Sequence, residues 1–181
     1  MEALEEENRL LKLEKEILLK KSTTDALTGL YNRIKIQDIF LYEQKQFIRY
    51  EDKLSVILMD LDDFKSINDT YGHNIGNKYL KDLAKTLTGS FRTVDIIGRW
   101  DGEKFLILLP KTSLDEAKKA ALRLRVTIHK MDCPKPGPGT ASFGLSTLIK
   151  NDTLSSFTGR ADEALLRAKL NGKDRVEIQS I

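Results

Sequence analysis

The spacing of hydrophobic positions changes several times along the chain, and each spacing predicts an element. Between Glu2 and about Lys21, Leu4, Leu11 and Leu18 recur every seven residues beside Leu10 and Ile17, among helix formers with no Gly or Pro. This predicts a charged helix with one apolar stripe, spanning fewer than three heptads. Such a helix either packs on its own domain or pairs with a second copy as a parallel stalk. Ser22-Thr23-Thr24-Asp25 ends the pattern with cap residues, and Gly29 punctuates the loop after them. From Arg33 to about Tyr50, Ile36, Ile39, Phe40, Phe47 and Ile48 predict a helix laid on a sheet.

Leu54 to Met59 is almost continuously apolar, the pattern of a central strand covered on both faces. Ile75, Tyr79, Leu80, Leu83, Leu87 and Phe91 mark an amphipathic helix, as do Leu114, Ala117, Ala121, Leu124 and Ile128 after a Ser113-x-x-Glu116 capping box. Two apolar runs flank Asp101-Gly102, which predicts a β-hairpin with a type I′ turn because both central residues of that turn need positive φ. Its tip carries Glu103, and the strand before it carries Arg99. Thr140 to Ile149 reads as a strand, Ala161 to Lys173 as a helix stopped by Gly172, and Arg175 to Ile178 as an edge strand. The fold class is α+β: about five mainly antiparallel strands, the central one beside the hairpin, with helices on both faces.

Composition narrows this reading only modestly. A chain of 181 residues, 40% hydrophobic and 31% charged, is one domain's worth of ordinary soluble globule. A net charge of +3, from 30 Lys+Arg against 27 Asp+Glu, is too small a surplus to argue for DNA or a membrane surface. Cys133 is the single cysteine, which excludes an internal disulfide and a cysteine-rich zinc site. No apolar run approaches the roughly 18 residues of a membrane span. The segment is therefore expected in the cytoplasm, and a longer parent protein would carry any membrane or sensor part.

The chemistry concentrates in two places. Asp60-Leu61-Asp62-Asp63 puts three carboxylates at the end of a buried strand, where like charges repel. A divalent ion such as magnesium would offset that repulsion through hard oxygen ligands; a solvated acidic turn is the plainer reading. Lys169 and Lys173 stand one helical turn apart and would both reach a phosphate, although such a pair is usually a wet basic face.

These residues also carry a resemblance. Asp101-Gly102-Glu103-Lys104-Phe105 resembles the signature hairpin of GGDEF domains, the diguanylate cyclase family, which reads Gly-Gly-Asp/Glu-Glu-Phe. Arg92 and Asp95, five residues before it, reproduce the spacing of the family's Arg-x-x-Asp product site. Asp25-Ala26-Leu27-Thr28-Gly29-Leu30-Tyr31-Asn32-Arg33 resembles the entry motif. The resemblance runs from Asp25 to Arg175. It implies a ferredoxin-like palm, shared with nucleotide cyclases, in which each domain holds one GTP and two domains face each other to make cyclic di-GMP. Under it, Asp60, the Leu61 carbonyl and Glu103 are ligands of Mg2+ or Mn2+, with Asp60 and Glu103 catalytic. Asp63, Phe64 and Lys65 form the phosphate loop, Gly102 lies at the signature turn against substrate, and Lys169 and Lys173 hold the triphosphate. Asn68 and Asn77 read the guanine, and Arg92, Asp95 and Arg123 bind the product as an inhibitor.

Three positions depart from the family pattern. Asp101 replaces a glycine, Lys104 replaces a glutamate, and Asn77 replaces an aspartate that accepts from the guanine edge. An amide offers one acceptor there, and the lost partner costs about 1–3 kcal/mol, so adenine is less strongly excluded. Two functions are expected on these grounds. One is a diguanylate cyclase with a variant signature, feedback-inhibited through the Arg-x-x-Asp site. The other is a catalytically inactive domain that serves as a receptor for cyclic di-GMP or GTP. Residues 1–22 would be the dimer stalk and 23–181 the domain.

Overall fold

The computed structural model describes residues 2–135 and 139–179, with only the backbone given for residues 2–4, 8, 13, 16, 17 and 19–21. The expected stripe positions Leu4 and Ile17 thus lie outside the described side chains. The elements in chain order are α1 (Glu2–Thr23), α2 (Arg33–Tyr50), β1 (Leu54–Leu61), α3 (Phe64–Tyr71), α4 (His73–Ser90), β2 (Ile96–Asp101), β3 (Lys104–Pro110), α5 (Leu114–His129), β4 (Ala141–Thr147), α6 (Leu154–Leu170) and β5 (Val176–Ile178). The five strands form one sheet in the order β2-β3-β1-β4-β5, antiparallel except for the β4–β5 pair. The expected α+β architecture is the one observed.

β1 lies in the middle and is buried on both sides, which is why its apolar run is nearly unbroken. Val56 and Leu58 pack with Ile36 and Phe40 of α2 and with Phe157, Ala161 and Leu165 of α6. Ile57, Met59 and Leu61 face the other way, toward Ile67 of α3, Leu80 and Leu83 of α4, and Leu124 and Ile128 of α5. Side chains alternate along a strand, so Asp60 is delivered to the α6 face at the strand's carboxyl end. Opposite it in register, on β3, stands Lys104.

α6 starts seven residues earlier than the sequence pattern predicts. Its first turn is held by a reciprocal cap: the Ser156 amide donates to Thr153 Oγ1 at 3.1 Å, and the Thr153 amide donates to Ser156 Oγ at 3.0 Å. Serine in place of the usual Glu or Gln hides that signal. The helix lies directly on the sheet because Gly144 of β4 has no side chain; a Cβ there would overlap the Ala161 carbonyl oxygen and the Leu165 amide nitrogen.

The hairpin turn is also displaced. Asp101 pairs with Lys104, which leaves Gly102 and Glu103 as the central residues, and of the two only Gly102 has positive φ, at 51°. That is the Gly-first pattern of a type II′ turn and not the type I′ pair expected at Asp101-Gly102. The cause is an irregularity between Arg99 and Asp101, where the register shifts and Trp100 goes unpaired. Glu103 is thereby moved into the turn itself.

The chain enters the domain through a stitched loop. Asp25 Oδ1 accepts from the Thr28 amide at 2.9 Å and the Thr28 hydroxyl at 2.7 Å, and Arg99 lies 3.2 Å away. Tyr31 then runs alongside β2: the Tyr31 amide donates to Ile97 O at 3.3 Å, and the Arg99 amide donates to Tyr31 O at 2.9 Å. Among the described residues, no helix is long and apolar enough to cross a membrane.

The seating of α6 is testable. Gly144→Ala forces the helix off the sheet against backbone atoms that cannot yield by rotation. Urea unfolding should show a loss of about 2 kcal/mol or more, and a change within a few tenths would refute the close-contact account.

Candidate active site

Where β1 ends, three successive carboxylates are handled in three different ways. Asp60 remains partly open, and its Oδ1 accepts from the Lys169 ammonium at 3.0 Å. Asp62 is buried; Ser142 Oγ donates to its Oδ1 at 2.7 Å, the Asp174 amide donates to its Oδ2 at 3.1 Å, and Lys169 Nζ is 3.0 Å from Oδ1. Asp63 is exposed and takes the left-handed conformation (φ 57°) ahead of α3, and its carboxylate accepts from Lys173 Nζ at 2.6 Å. Lys169 also donates to the Leu61 carbonyl oxygen at 3.2 Å. One ammonium thus donates to Asp60 and Leu61 and pairs with the charge of Asp62.

Burial pushes the Asp60 carboxyl above its ordinary range; Lys169 pulls against that rise, and the charge of Glu103 adds to it. Glu103 in the turn is therefore close enough to be felt at Asp60. At Asp63 the hydrogen bond from Lys173 outweighs what burial there is and holds the carboxyl below its ordinary range. Lys173 does not continue the helix, as the sequence pattern predicts. It lies past the end of α6, with φ at 62°, and reaches Asp63 from a left-handed turn.

The remaining expected substrate residues surround this point. Phe64 is buried in the core, so only its backbone faces outward, while Lys65 is exposed. Both open α3, whose first N–H groups have no intrahelical acceptor and suit an anion. Asn68 of α3 packs against Gly76 of α4, where a Cβ would overlap its side-chain oxygen; Asn77 is the next residue and is exposed. Gly102 has open space where a Cβ would stand. Lys104, opposite Asp60 in register, donates to Asp162 of α6 at 2.9 Å, and its charge also acts on Asp60.

A metal ion fits this donor set. Lys169 is itself a cation, seated on a carboxylate and a backbone carbonyl, the hard oxygens that magnesium prefers. Among the described residues no three His, Cys, Asp or Glu side chains converge as a metal cage. An ion here would complete its shell with water and phosphate, which is the habit of magnesium.

A second site lies at the other end of β2. Arg92 grips Asp95, donating from its amide at 2.9 Å and from the guanidinium at 3.2 and 2.9 Å, and also donates to Thr112 Oγ1 at 2.8 Å. These residues, with Glu116, Lys119 and Arg123 of α5, line a cavity of about 280 Å³. Arg92, Asp95 and Arg123 are thus brought together.

Sequence reasoning misses the brace behind the first site. Arg125 of α5, which the pattern leaves on the surface, donates to both oxygens of Asp174 at 2.8 and 2.7 Å, and His129 Nε2 is 2.7 Å from Asp174 Oδ1. Asp174 has φ 48° and hands its amide to Asp62. Nothing local in the sequence signals that clamp, because its partners are 45 to 49 residues away.

Comparison with known proteins bears on the family and the fold. The family model for "Diguanylate cyclase, GGDEF domain" matches residues 22–175. The chain is 40% identical over 152 residues to diguanylate cyclase DgcM of Escherichia coli K12, a match that covers 84% of this chain and 37% of that protein. It therefore spans well under half of that relative. The crystal structure of diguanylate cyclase SiaD in complex with its activator SiaC, from Pseudomonas aeruginosa, superposes with a TM-score of 0.83 at 31% identity, covering 98% of this chain and 69% of that one. The coiled coil and GGDEF domain of DgcB from Caulobacter crescentus, in complex with c-di-GMP, superposes at 0.89 with 24% identity, covering 95% and 93%, which speaks to the fold alone.

The brace makes a prediction about acid. Burial raises the Asp174 carboxyl, but the hydrogen bonds from Arg125 and His129 outweigh it and hold the carboxyl below its ordinary value of 3.8. Its contribution to stability is present above that value and is lost as pH falls through the lower folded value. Asp174→Asn should cost about 1–3 kcal/mol at pH 7 in urea unfolding, with the gap to wild type closing below about pH 4. A gap that persists into strong acid would contradict the clamp.

Proposed function

The chain belongs to the GGDEF diguanylate cyclase family, and on that footing we propose that it condenses two GTP molecules into cyclic di-GMP and is held back when product fills the Arg92 cavity. One observation carries the reading: a seat already filled by a positive charge lies at the end of β1, beside the turn that bears Glu103 and the opening of α3. Asp60, the Leu61 carbonyl and Glu103 would hold the divalent ion, magnesium or manganese. Bound there, the ion neutralises the triphosphate and makes the α-phosphorus more open to attack.

The chain's own groups do the rest. The backbone at Asp63, Phe64 and Lys65 receives phosphate oxygens at a helix start, and Lys169 and Lys173 supply the counter-charge. Gly102 lets the phosphates approach the turn, and Asn68 and Asn77 contact the purine. With two domains face to face, each 3′-hydroxyl attacks the α-phosphorus of the opposite nucleotide, the bond to pyrophosphate breaks, and the hydroxyl proton passes to solvent. Two GTP give one cyclic di-GMP and two pyrophosphates. The pairing is assigned to residues 1–22 as a stalk, with 23–181 as the domain; Leu10, Leu11 and Leu18 of α1 are exposed as a partner helix would require. Light scattering on the purified chain reads that pairing directly.

A second reading is favoured by Lys104. Its ammonium is engaged by Asp162 at the fourth position of a variant signature, while Arg92, Asp95 and Arg123 line one cavity. That combination suits a receptor that binds cyclic di-GMP without turnover.

Incubation of the protein with GTP and magnesium, followed by chromatography, separates the two. Cyclic di-GMP should accumulate in wild type and be absent with Glu103→Gln; equal turnover in that variant would remove Glu103 from the mechanism. Calorimetry with cyclic di-GMP should show binding in wild type and a loss of about tenfold or more in Arg92→Ala, the cost of a charge-assisted hydrogen-bonding group. Unchanged affinity would dismiss the cavity as the product site.

A further inference from the structure

The oxygens assigned to the metal are not waiting empty-handed. Lys169 Nζ donates to Asp60 Oδ1 at 3.0 Å, to the Leu61 carbonyl oxygen at 3.2 Å and to the Asp60 carbonyl oxygen at 3.5 Å, and it pairs with Asp62 Oδ1 at 3.0 Å. Two of those acceptors are proposed metal ligands. An ion on those same oxygens would meet the positive charge of the ammonium at close range.

We propose that Lys169 is an exchangeable internal cation: it fills the metal's seat in the nucleotide-free protein and gives it up only when a triphosphate arrives to receive the ammonium. The proposal rests on the reading of this pocket as a metal–triphosphate site, though not on turnover.

The surroundings suit an exchange of this kind. α6 is pinned to the sheet at Gly144, so the helix stays in place and only the flexible lysine stem needs to swing. Asp62, which would lose the ammonium, keeps its bonds from Ser142 Oγ and from the Asp174 amide, and so is not stranded. Asp60 would keep only the weaker pull of Lys104, opposite it in register, and so is the ligand that most needs a replacement cation. Lys173 is already held by Asp63 and does not compete for the seat. A divalent ion arriving alone must push the ammonium onto carboxylates that already have other partners, Asp62 and Asp63, whereas an ion arriving with a triphosphate brings a fresh anion along. The consequence is a site that resists metal without substrate.

Titration of Mn2+ without nucleotide, followed by electron paramagnetic resonance, tests the exchange in wild type and in Lys169→Met. The variant should bind Mn2+ alone about tenfold more tightly or better, because a charge-assisted competitor has been removed. It should bind the Mn2+ complex of a non-hydrolysable GTP analogue more weakly than wild type. Opposite changes in the two affinities support the proposal. A lysine that serves only as a phosphate ligand would leave Mn2+ binding unchanged, and that result, or weaker Mn2+ binding, overturns it. Lys169→Gln, which keeps hydrogen-bonding capacity without charge, should show the same ordering, and circular dichroism confirms that each variant is folded. A chain that makes no cyclic di-GMP would end the cyclase reading and leave these two affinities to be judged on their own.

Discussion

Negative charge gathered at the end of a strand that is buried on both faces is the constraint around which this molecule is built. Two carboxylates about 4 Å apart repel by about 4 kcal/mol at the effective dielectric of a protein surface, and the end of β1 with the two residues after it presents three in four residues. The chain answers with lysines, one of them Lys135, which reaches Asp63 at 3.7 Å from the loop after α5. α6 brings Lys169, and the turn after it brings Lys173, with each ammonium on its own carboxylate set. The absence of a side chain at Gly144 sets the height of α6 above the sheet, and the Arg125–Asp174–His129 clamp fixes the turn behind it. A glycine in β4 and an arginine in α5 therefore belong to the same electrostatic arrangement as Asp60, although neither touches it.

The two candidate sites are separated by a strand and joined by it. Arg92 and Asp95 stand just before β2, and the signature turn stands just after it. Six extended residues span about 20 Å, so one small molecule cannot bridge both sites. Each site has its own cationic grip: a guanidinium bound to Asp95 in one, an ammonium on Asp60 in the other. The arginine is suited to planar, forked recognition, and the lysine to a compact charge that can change partners.

The sequence was informative wherever a local rule sufficed. The apolar run from Leu54 declared a doubly covered strand, and the Ser113–Glu116 box declared the start of α5. It was less informative where one local rule stood in for another. Ser156 performs the capping role usually given to Glu, so the pattern predicts a start at Ala161 where α6 begins at Leu154. An unpaired Trp100 moved the turn by one residue, and Lys173 left the helix for a left-handed turn. Asp62 and Asp174 could not be read at all, because their meaning depends on groups 80 and 112 residues distant in the chain. The carboxylate cluster was visible; which members were struts and which were open to a ligand was not.

Arg99 joins the beginning of the domain to its signature. Its guanidinium touches Asp25, 74 residues earlier, and its Nε donates to the Gly102 carbonyl in the hairpin turn at 2.7 Å. Where α1 hands the chain over to the domain is thus also where the loop bearing Glu103 is anchored. A fragment trimmed to begin after Asp25, an inviting place to cut, would keep every residue of the pocket and still lose one mooring of its rim.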